Sequence, residues 1–396
     1  MAPCAALNAP PLPVLELPAS LAKPLASGHP WVYRDHVPKG FSAPPGFVRI
    51  TAGTFSAIAL WDPDSPLACR VYSRGEVPGE RFVFQKVRAA LALRETMGVT
   101  ARATAYRLLN GEGDGLPGFV VDRYGAFAVL ATDTDAVEPL VSHVAGAVKS
   151  LRDVHGVVRR RKEDGESHLE ALVGRLPPKE LVVEEHGVRL LANLHEGQKT
   201  GLFLDQRENR KWIGEIASGR TLLNLFGYTG GFSVHAARGG ATHVTTVDVA
   251  ARALEDARRN FELNGLDPNA HDFRAEDVFE FLRGARERGE TWDVVVCDPP
   301  SFARSKAQRE RAIESYAKLH AMGLAVTAPG GLYAASSCTT QVSVEAFHGA
   351  VAAAARKASV TFQIVCDAGH PPDHPILVGH PEGRYLKFVV GRVSRA

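Results

Sequence analysis

Leu222-Leu-Asn-Leu-Phe226 runs without a break into Gly227-Tyr-Thr-Gly-Gly231. A strand-like apolar run meets a glycine-rich turn, and an amphipathic stretch over 231–237 follows. Such a turn between a strand and its helix lets the backbone approach a ligand closely. The rhythm repeats outward from this junction. Apolar, β-branched runs recur at 221–226, 243–249, 293–297 and 331–336, with further strands expected at 360–366 and 385–393. Amphipathic stretches lie between them at 250–263, 309–326 and 344–356. Alternating strands and helices predict an α/β unit, a mostly parallel sheet covered on both faces.

Two further regions precede it. Over 12–76, short apolar runs (47–50, 55–61, 68–72) broken by Gly and Pro predict a small β-rich module. Over 77–178 the pattern mixes: a helix at 82–97 with Arg88 and Arg94 on its polar side, strands at 118–122 and 126–130, and a helix at 136–151. Leu176-Pro-Pro178 marks a joint, and 180–194 reads as a hairpin turning at His186-Gly187.

A chain of 396 residues fits two or three domains. With 45% hydrophobic and 23% charged residues it has the balance of a folded globular protein, not a disordered one. The sequence lacks the ~18-residue apolar run of a membrane span, and residues 1–20 lack signal-peptide features. A cytoplasmic location is expected. The net charge of +2 is too even for non-specific coating of nucleic acid, although a local basic face remains open. The five cysteines are scattered without ligand-like spacing, so neither disulfides nor a metal site is expected.

Asp248, 18 residues past Gly230, ends the next strand and can accept both hydroxyls of a ribose. Asp277 follows a further strand and can bond an adenine amino group. These features fit any adenosine-containing cofactor. The turn reads G-x-x-G-G, not the G-x-G-x-x-G expected where a pyrophosphate sits on a helix N-terminus. That difference points to S-adenosylmethionine, which has no phosphate. Asn224, Phe226, Gly227, Tyr228, Thr229, Gly230, Asp248 and Asp277 are the candidate cofactor residues.

Trp292-Asp-Val-Val-Val-Cys-Asp-Pro-Pro-Ser-Phe302 is the most specific string. A buried strand ends at Asp298, and the two prolines stiffen the exit. Ligands of open α/β sheets bind at the C-terminal strand ends, so Asp298 and Pro299 belong beside the cofactor, and Asp298 can bond N3 or the amino edge of a base. The neighbouring strand ends at Cys338 on the same rim. A thiolate there can add to C6 of a pyrimidine and make C5 nucleophilic. Alternation along the strand turns Cys297 away, into the core.

At this point the strings carry a family pattern. Lys199-Thr-Gly-Leu-Phe-Leu-Asp-Gln-Arg-Glu-Asn-Arg210 with Gln198 before it, 224–233, Cys297-Asp-Pro-Pro-Ser-Phe302 and Ser337-Cys338 resemble the RlmI-like family, class I methyltransferases that make 5-methylcytosine in 23S ribosomal RNA. Gly28-His-Pro-Trp-Val-Tyr33 is similar to the start of its PUA domain, and 110–118 with 121–125 to its central domain. The resemblance implies a PUA-like RNA-binding domain over 12–76, a central α/β domain over 77–178 and a Rossmann-like seven-stranded domain over 179–396. It further implies that Lys199, Thr200, Asp205 and Arg207 help hold S-adenosylmethionine and that Cys338 is the nucleophile; Asp298, from its place at the strand end, is the expected catalytic partner at N3. Thr339-Thr340 departs from the family's small Ser-Gly or Ser-Ser.

The expected partner is 23S rRNA, with homodimerisation open. Arg159-Arg-Arg-Lys162 is the densest basic run, and Trp31, Tyr33 and Arg34 are candidates for stacking on or pinning a nucleotide. His370 and His374 read as polar groups of a Pro-rich loop. Three other readings stay open: an exocyclic-amine methyltransferase using Asp-Pro-Pro without an adduct, a nicotinamide-dependent reductase, and a non-catalytic RNA-binding factor.

Overall fold

The computed structural model of the chain describes residues 11–163, 166–197, 199–303 and 305–395. Cys4, Gln198 and the side chains of Arg161 and Lys162 lie outside the described residues.

The short N-terminal runs form β1 (Val14–Glu16), β2 (Trp31–Tyr33), β3 (Gly46–Ala52), β4 (Phe55–Trp61) and β5 (Leu67–Ser73), with α1 (Ala22–Ala26) between the first two. They make one sheet of order β1-β3-β4-β5-β2, closed over Leu15, Val48, Ile50, Ala57 and Cys69.

Next come α2 (Glu80–Thr96), α3 (Val99–Arg102), β6 (Ala105–Asn110), β7 (Phe119–Tyr124), β8 (Phe127–Thr132), α4 (Glu138–Lys149), β9 (Gly156–Glu163) and β10 (Glu166–Gly174). The sheet order is β10-β9-β8-β7-β6. One face packs on α2 and α4 through Val83, Val87, Leu140 and Val144. The other face, with Ala105, Tyr124, Val129 and Val158, shares a core with Leu190, Ile213, Phe232 and Phe388 of the following unit. The central sheet is therefore a wall of the C-terminal domain as well as its own.

The hairpin β11 (Leu181–Glu185) and β12 (Val188–Ala192) turns at His186 and Gly187, both left-handed at φ 49° and 78°, as a two-residue turn matched to strand twist requires. Then follow α5 (Arg207–Ile216), β13 (Thr221–Leu225), α6 (Gly231–Arg238), β14 (His243–Asp248), α7 (Ala251–Leu263), β15 (Asp272–Ala275), α8 (Val278–Glu287) and β16 (Trp292–Cys297). The chain ends with α9 (Arg309–Ala325), β17 (Thr327–Cys338), α10 (Val344–Lys357), β18 (Thr361–Ala368) and β19 (Leu386–Ser394). The seven strands run β15-β14-β13-β16-β17-β19-β18, with β19 antiparallel to both neighbours. Among the described residues no helix is long and apolar enough to cross a membrane.

The structure adds elements the sequence reading did not name and corrects two expectations, the start of β17 and the place of Arg94. The basic run 159–162 lies within a strand, β9, because pairing with β10 overrides the weak strand preference of charged residues. Helices α5 and α8 were not expected. Strand β17 starts at Thr327, four residues early, across a register shift opposite Trp292 and Val294. Arg94 is fully buried, not on a polar face; its guanidinium grips both oxygens of Asp114 at 2.6 and 2.7 Å.

Candidate functional site

Four neighbouring parallel strands, β14, β13, β16 and β17, end on one rim. Their last residues and the loops beyond them surround a cavity of about 240 Å³. Phe226, Gly227, Tyr228 and Thr229 line it from the first turn, Asp248 and Asp277 from the next two strands, and Asp298, Pro299 and Cys338 from the last two. Lys199, Phe203, Asp205 and Gln206 close it from the segment before α5, and Leu386 from β19.

The turn after β13 is strained. Phe226 and Tyr228 are left-handed at φ 58° and 48°, and Lys199 across the cavity is too, at 51°. A non-glycine residue in this region costs on the order of 1 kcal/mol or more, so it persists only where its surroundings hold it. Asp248 supplies part of that hold: its two oxygens accept from the main-chain N–H of Tyr228 at 2.8 Å and of Ala250 at 2.9 Å. Each carboxylate oxygen keeps a second lone pair for a ligand hydroxyl. Asp277 caps α8 through Oδ1, accepting from Phe279 and Glu280. Lys199 is held from behind, where Arg160 donates to its carbonyl at 2.6 Å and to the carbonyls of Gly197 and Leu194.

Asp298 and Cys338 form the reactive corner, both half-buried. Burial pushes the Asp298 carboxyl up to about 6, with the charge of Asp205 adding to the rise and the Ser336 hydroxyl opposing it. Gln206 Nε2 donates to the same Ser336 hydroxyl at 3.0 Å. Burial and the negative Asp298 push the Cys338 thiol up to about 11. Cys297 is fully buried in the core cluster with Tyr333, as strand alternation requires. Thr339, the departure from the family pattern, is also buried; its hydroxyl donates to the Ala303 carbonyl at 3.2 Å and ties the loop after Cys338 to the one after Asp298.

Asp205 tests the fit of a cofactor. Its Oδ2 accepts from Lys199 at 2.9 Å and Tyr385 at 2.8 Å, and these partners hold its carboxyl well below the usual range against the effect of burial. Its Oδ1 is buried with no hydrogen-bond partner among the described residues. An orphan anionic oxygen on the wall suits a ligand that brings positive charge. S-adenosylmethionine carries an ammonium and a sulfonium, so the residues present fit it.

Several expected site residues are elsewhere. Thr200 donates to Asp122 at 2.6 Å and meets the Tyr124 hydroxyl at 2.9 Å; Arg207 forks onto Asp373. The Asn224 amide donates to Ser233 at 2.9 Å beneath the turn. A Cβ on Gly230 would lie 2.9 Å from the Ala257 Cβ, so this glycine serves packing against α7. None of these four lines the cavity. Gln206, Phe203 and Leu386 do, although they were not singled out. The first two lie inside the Lys199–Arg210 string and were within reach of sequence; Leu386 arrives only through β19.

The candidate RNA contacts are also engaged. Trp31 packs edge-on against His380 at 4.1 Å and donates to Glu112; Tyr33 meets Trp31 edge-on at 6.3 Å. Arg34 lies over Trp61 and donates to the carbonyls of Asp62 and Ser65. Arg159 is buried against Glu138. His374 is buried beside Asp373, and His370 accepts from the Leu386 N–H at 3.2 Å.

The model of the S-adenosylmethionine-dependent methyltransferase family matches residues 132–378. The chain belongs to this family. A PUA-like domain model matches residues 15–74 of the methyltransferase. It is 38% identical to a ribosomal RNA large subunit methyltransferase of Deinococcus radiodurans, over 95% of this chain and 97% of that one. It is 35% identical to ribosomal RNA large subunit methyltransferase I of Erwinia tasmaniensis, over 94% and 97%. Among solved structures, a methyltransferase complexed with SAH superposes with a TM-score of 0.86 at 27% identity, covering 96% of this chain and all of that one. A methyltransferase from Streptococcus mutans gives 0.85 at 26%, with the same coverage. The methyltransferase uses S-adenosylmethionine, and its fold is the α/β methyltransferase fold with an N-terminal PUA-like domain.

Proposed function

We propose that this methyltransferase forms 5-methylcytosine in the 23S RNA of the large ribosomal subunit through a covalent bond between Cys338 and C6 of the base. The observation that carries the reading is that a thiol and a carboxyl with a raised pKa share one cavity with the cofactor-side residues Tyr228, Asp248 and Asp277. The names of the full-length relatives support ribosomal RNA as substrate.

Bound S-adenosylmethionine supplies an electrophilic methyl group. Asp248 and Asp277 would hold its adenosine, and Lys199, Asp205, Phe226, Gly227, Tyr228, Thr229 and Pro299 would shape the rest of its site. The target base leaves its stack to reach the cavity. The Cys338 thiolate bonds to C6, and the π electrons of C5=C6 move toward N3, where Asp298 donates its proton. C5 thereby becomes nucleophilic and takes the methyl. Loss of the C5 proton then restores the double bond and expels the thiolate. Asp298, with its pKa near neutrality, is suited to give and regain a proton.

The test is methylation of ribosomal RNA with labelled methyl donor, followed by nucleoside mass analysis. Cys338→Ala should abolish formation of 5-methylcytidine while the variant still binds S-adenosylhomocysteine. Undiminished methylation by this variant would support the exocyclic-amine chemistry in its place.

A further inference from the structure

Lys387 sits on β19 directly opposite Ser337, one residue from Cys338 along β17, and is only 2% exposed. Its ammonium donates to three main-chain carbonyls: those of Thr339, of Val342 at 3.0 Å and of Tyr385 at 2.8 Å. Three protons meet three acceptors, which makes burial of the group tolerable. The acceptors are neutral, so the positive charge stays uncompensated by them. Thr339 follows the thiol directly and Val342 closes the same loop. The ammonium therefore ties both parts of the segment leaving Cys338 to the strand beside it.

We propose that Lys387 is a positioning residue for Cys338, fixing the loop that carries the thiol and stabilising the thiolate by its charge. This rests on the reading of Cys338 as the nucleophile. The groups facing the sulfur come from every side: Asp298 from the end of β16, Asp205 and Lys199 from the segment before α5, Lys387 from β19, and the Tyr316 hydroxyl of α9 by way of Ser337. Burial and the two carboxylates raise the thiol, and Lys199 and Lys387 oppose them. Lys199 is paired with Asp205 at 2.9 Å, so much of its field is cancelled. Among the described residues Lys387 has only carbonyls as hydrogen-bond partners, so no carboxylate offsets its charge. Burial lowers its own ammonium to about 8, with the Cys338 thiolate pulling the other way.

The experiment follows alkylation of Cys338 in the full chain by iodoacetamide, in which the thiolate displaces iodide, with the Cys338 peptide quantified by mass spectrometry from pH 7 to 10. Lys387→Gln removes the charge and leaves an N–H donor for the carbonyls; Lys387→Arg keeps the charge. At pH 7, where the Lys387 ammonium is still protonated, the Gln variant should react ~10-fold more slowly than the wild type, the equivalent of about one pH unit in the thiol, and the gap should close toward pH 10 as the ammonium titrates. The Arg variant should stay within about threefold. A thermal melt establishes that each variant is folded. A folded Gln variant whose alkylation profile overlays the wild type overturns the proposal. A shifted profile in a protein whose Cys338→Ala form still methylates would instead sink the nucleophile reading and leave the influence of Lys387 on the thiol standing.

Discussion

Arg207 and Asp373 meet in a two-pronged ion pair, at 2.8 and 2.9 Å, with both side chains buried. The pair ties α5 to the loop between β18 and β19. Asp373 also accepts from the Arg107 main-chain N–H at 2.9 Å, and its carbonyl accepts from Arg94 at 2.7 Å. One carboxylate thus joins β6 of the five-stranded central sheet to α5 beside the seven-stranded sheet.

Removing one partner strands the other charge in the interior. Arg207→Ala is expected to destabilise the fold by about 3–5 kcal/mol in urea unfolding. The affinity of the folded fraction for S-adenosylmethionine should change little. Normal stability with lost affinity would return Arg207 to the cofactor.

Acid should unfold the protein through a small set of carboxylates. Asp373 is held well below the usual range by His374 and Arg207, and Glu185 by Arg210 at 2.5 and 2.6 Å and by His235, in both cases against the rise that burial alone would cause. A carboxyl depressed in the folded state contributes stability that is fully present above its unfolded pKa, about 4. That stability is lost as pH falls toward the folded value. Urea midpoints should therefore be level from these groups above pH ~5 and drop steeply below pH ~4. The drop should shrink in Asp373→Asn, already weakened at pH 7.

Asp298 near 6 and Cys338 near 11 predict the pH profile of catalysis. The active form needs Asp298 protonated and Cys338 ionised. Between the two values one fraction falls tenfold per pH unit as the other rises tenfold, so their product is constant. The expected kcat/KM is level above pH about 6 and falls about tenfold per unit below it. In Asp298→Asn the residual rate should climb with pH throughout. A wild-type rate that climbs steadily from pH ~6 to ~9 would exclude the acid role.

The orphan oxygen of Asp205 should be read by binding. Asp205→Asn is expected to weaken S-adenosylmethionine by ~10-fold or more, the worth of a charge-assisted hydrogen bond. Calorimetry on the full chain measures it. Equal affinities would remove Asp205 from the cofactor site.

Gly230→Ala separates packing from binding. The residue is left-handed at φ 75°, and the new methyl would sit 2.9 Å from the Ala257 Cβ. A stability loss of roughly 1–3 kcal/mol is expected, as for an overpacked core. Cofactor affinity should stay near the wild type in the folded protein.

Much of this was legible along the chain. The turn at Gly227, the carboxylates at Asp248 and Asp277 and the Asp298-Pro-Pro string announce themselves because strand ends and the loops after them lie on one rim in an open parallel sheet. Asp277 capping α8, with Phe281, Leu282 and Ala285 on one face, was equally visible and could have revealed that helix. The partners of Thr200, Arg207 and Asn224 were not visible. Polar residues inside a motif look alike until packing decides which of them face ligand and which face protein.

Sequence by itself determined the alternation of strands and helices around the rim, though not α5 or α8, together with the carboxylates on that rim and the presence of a thiol at the end of β17. These are local: they depend on side-chain period, turn chemistry and the alternation of a strand's faces. Only the tertiary structure decided that Arg160 holds the Lys199 loop, that Asp373 joins β6 to α5 and that Lys387 lies beside Cys338. Those contacts join segments far apart in the chain, and burial from water makes each buried charge find its partner across that distance.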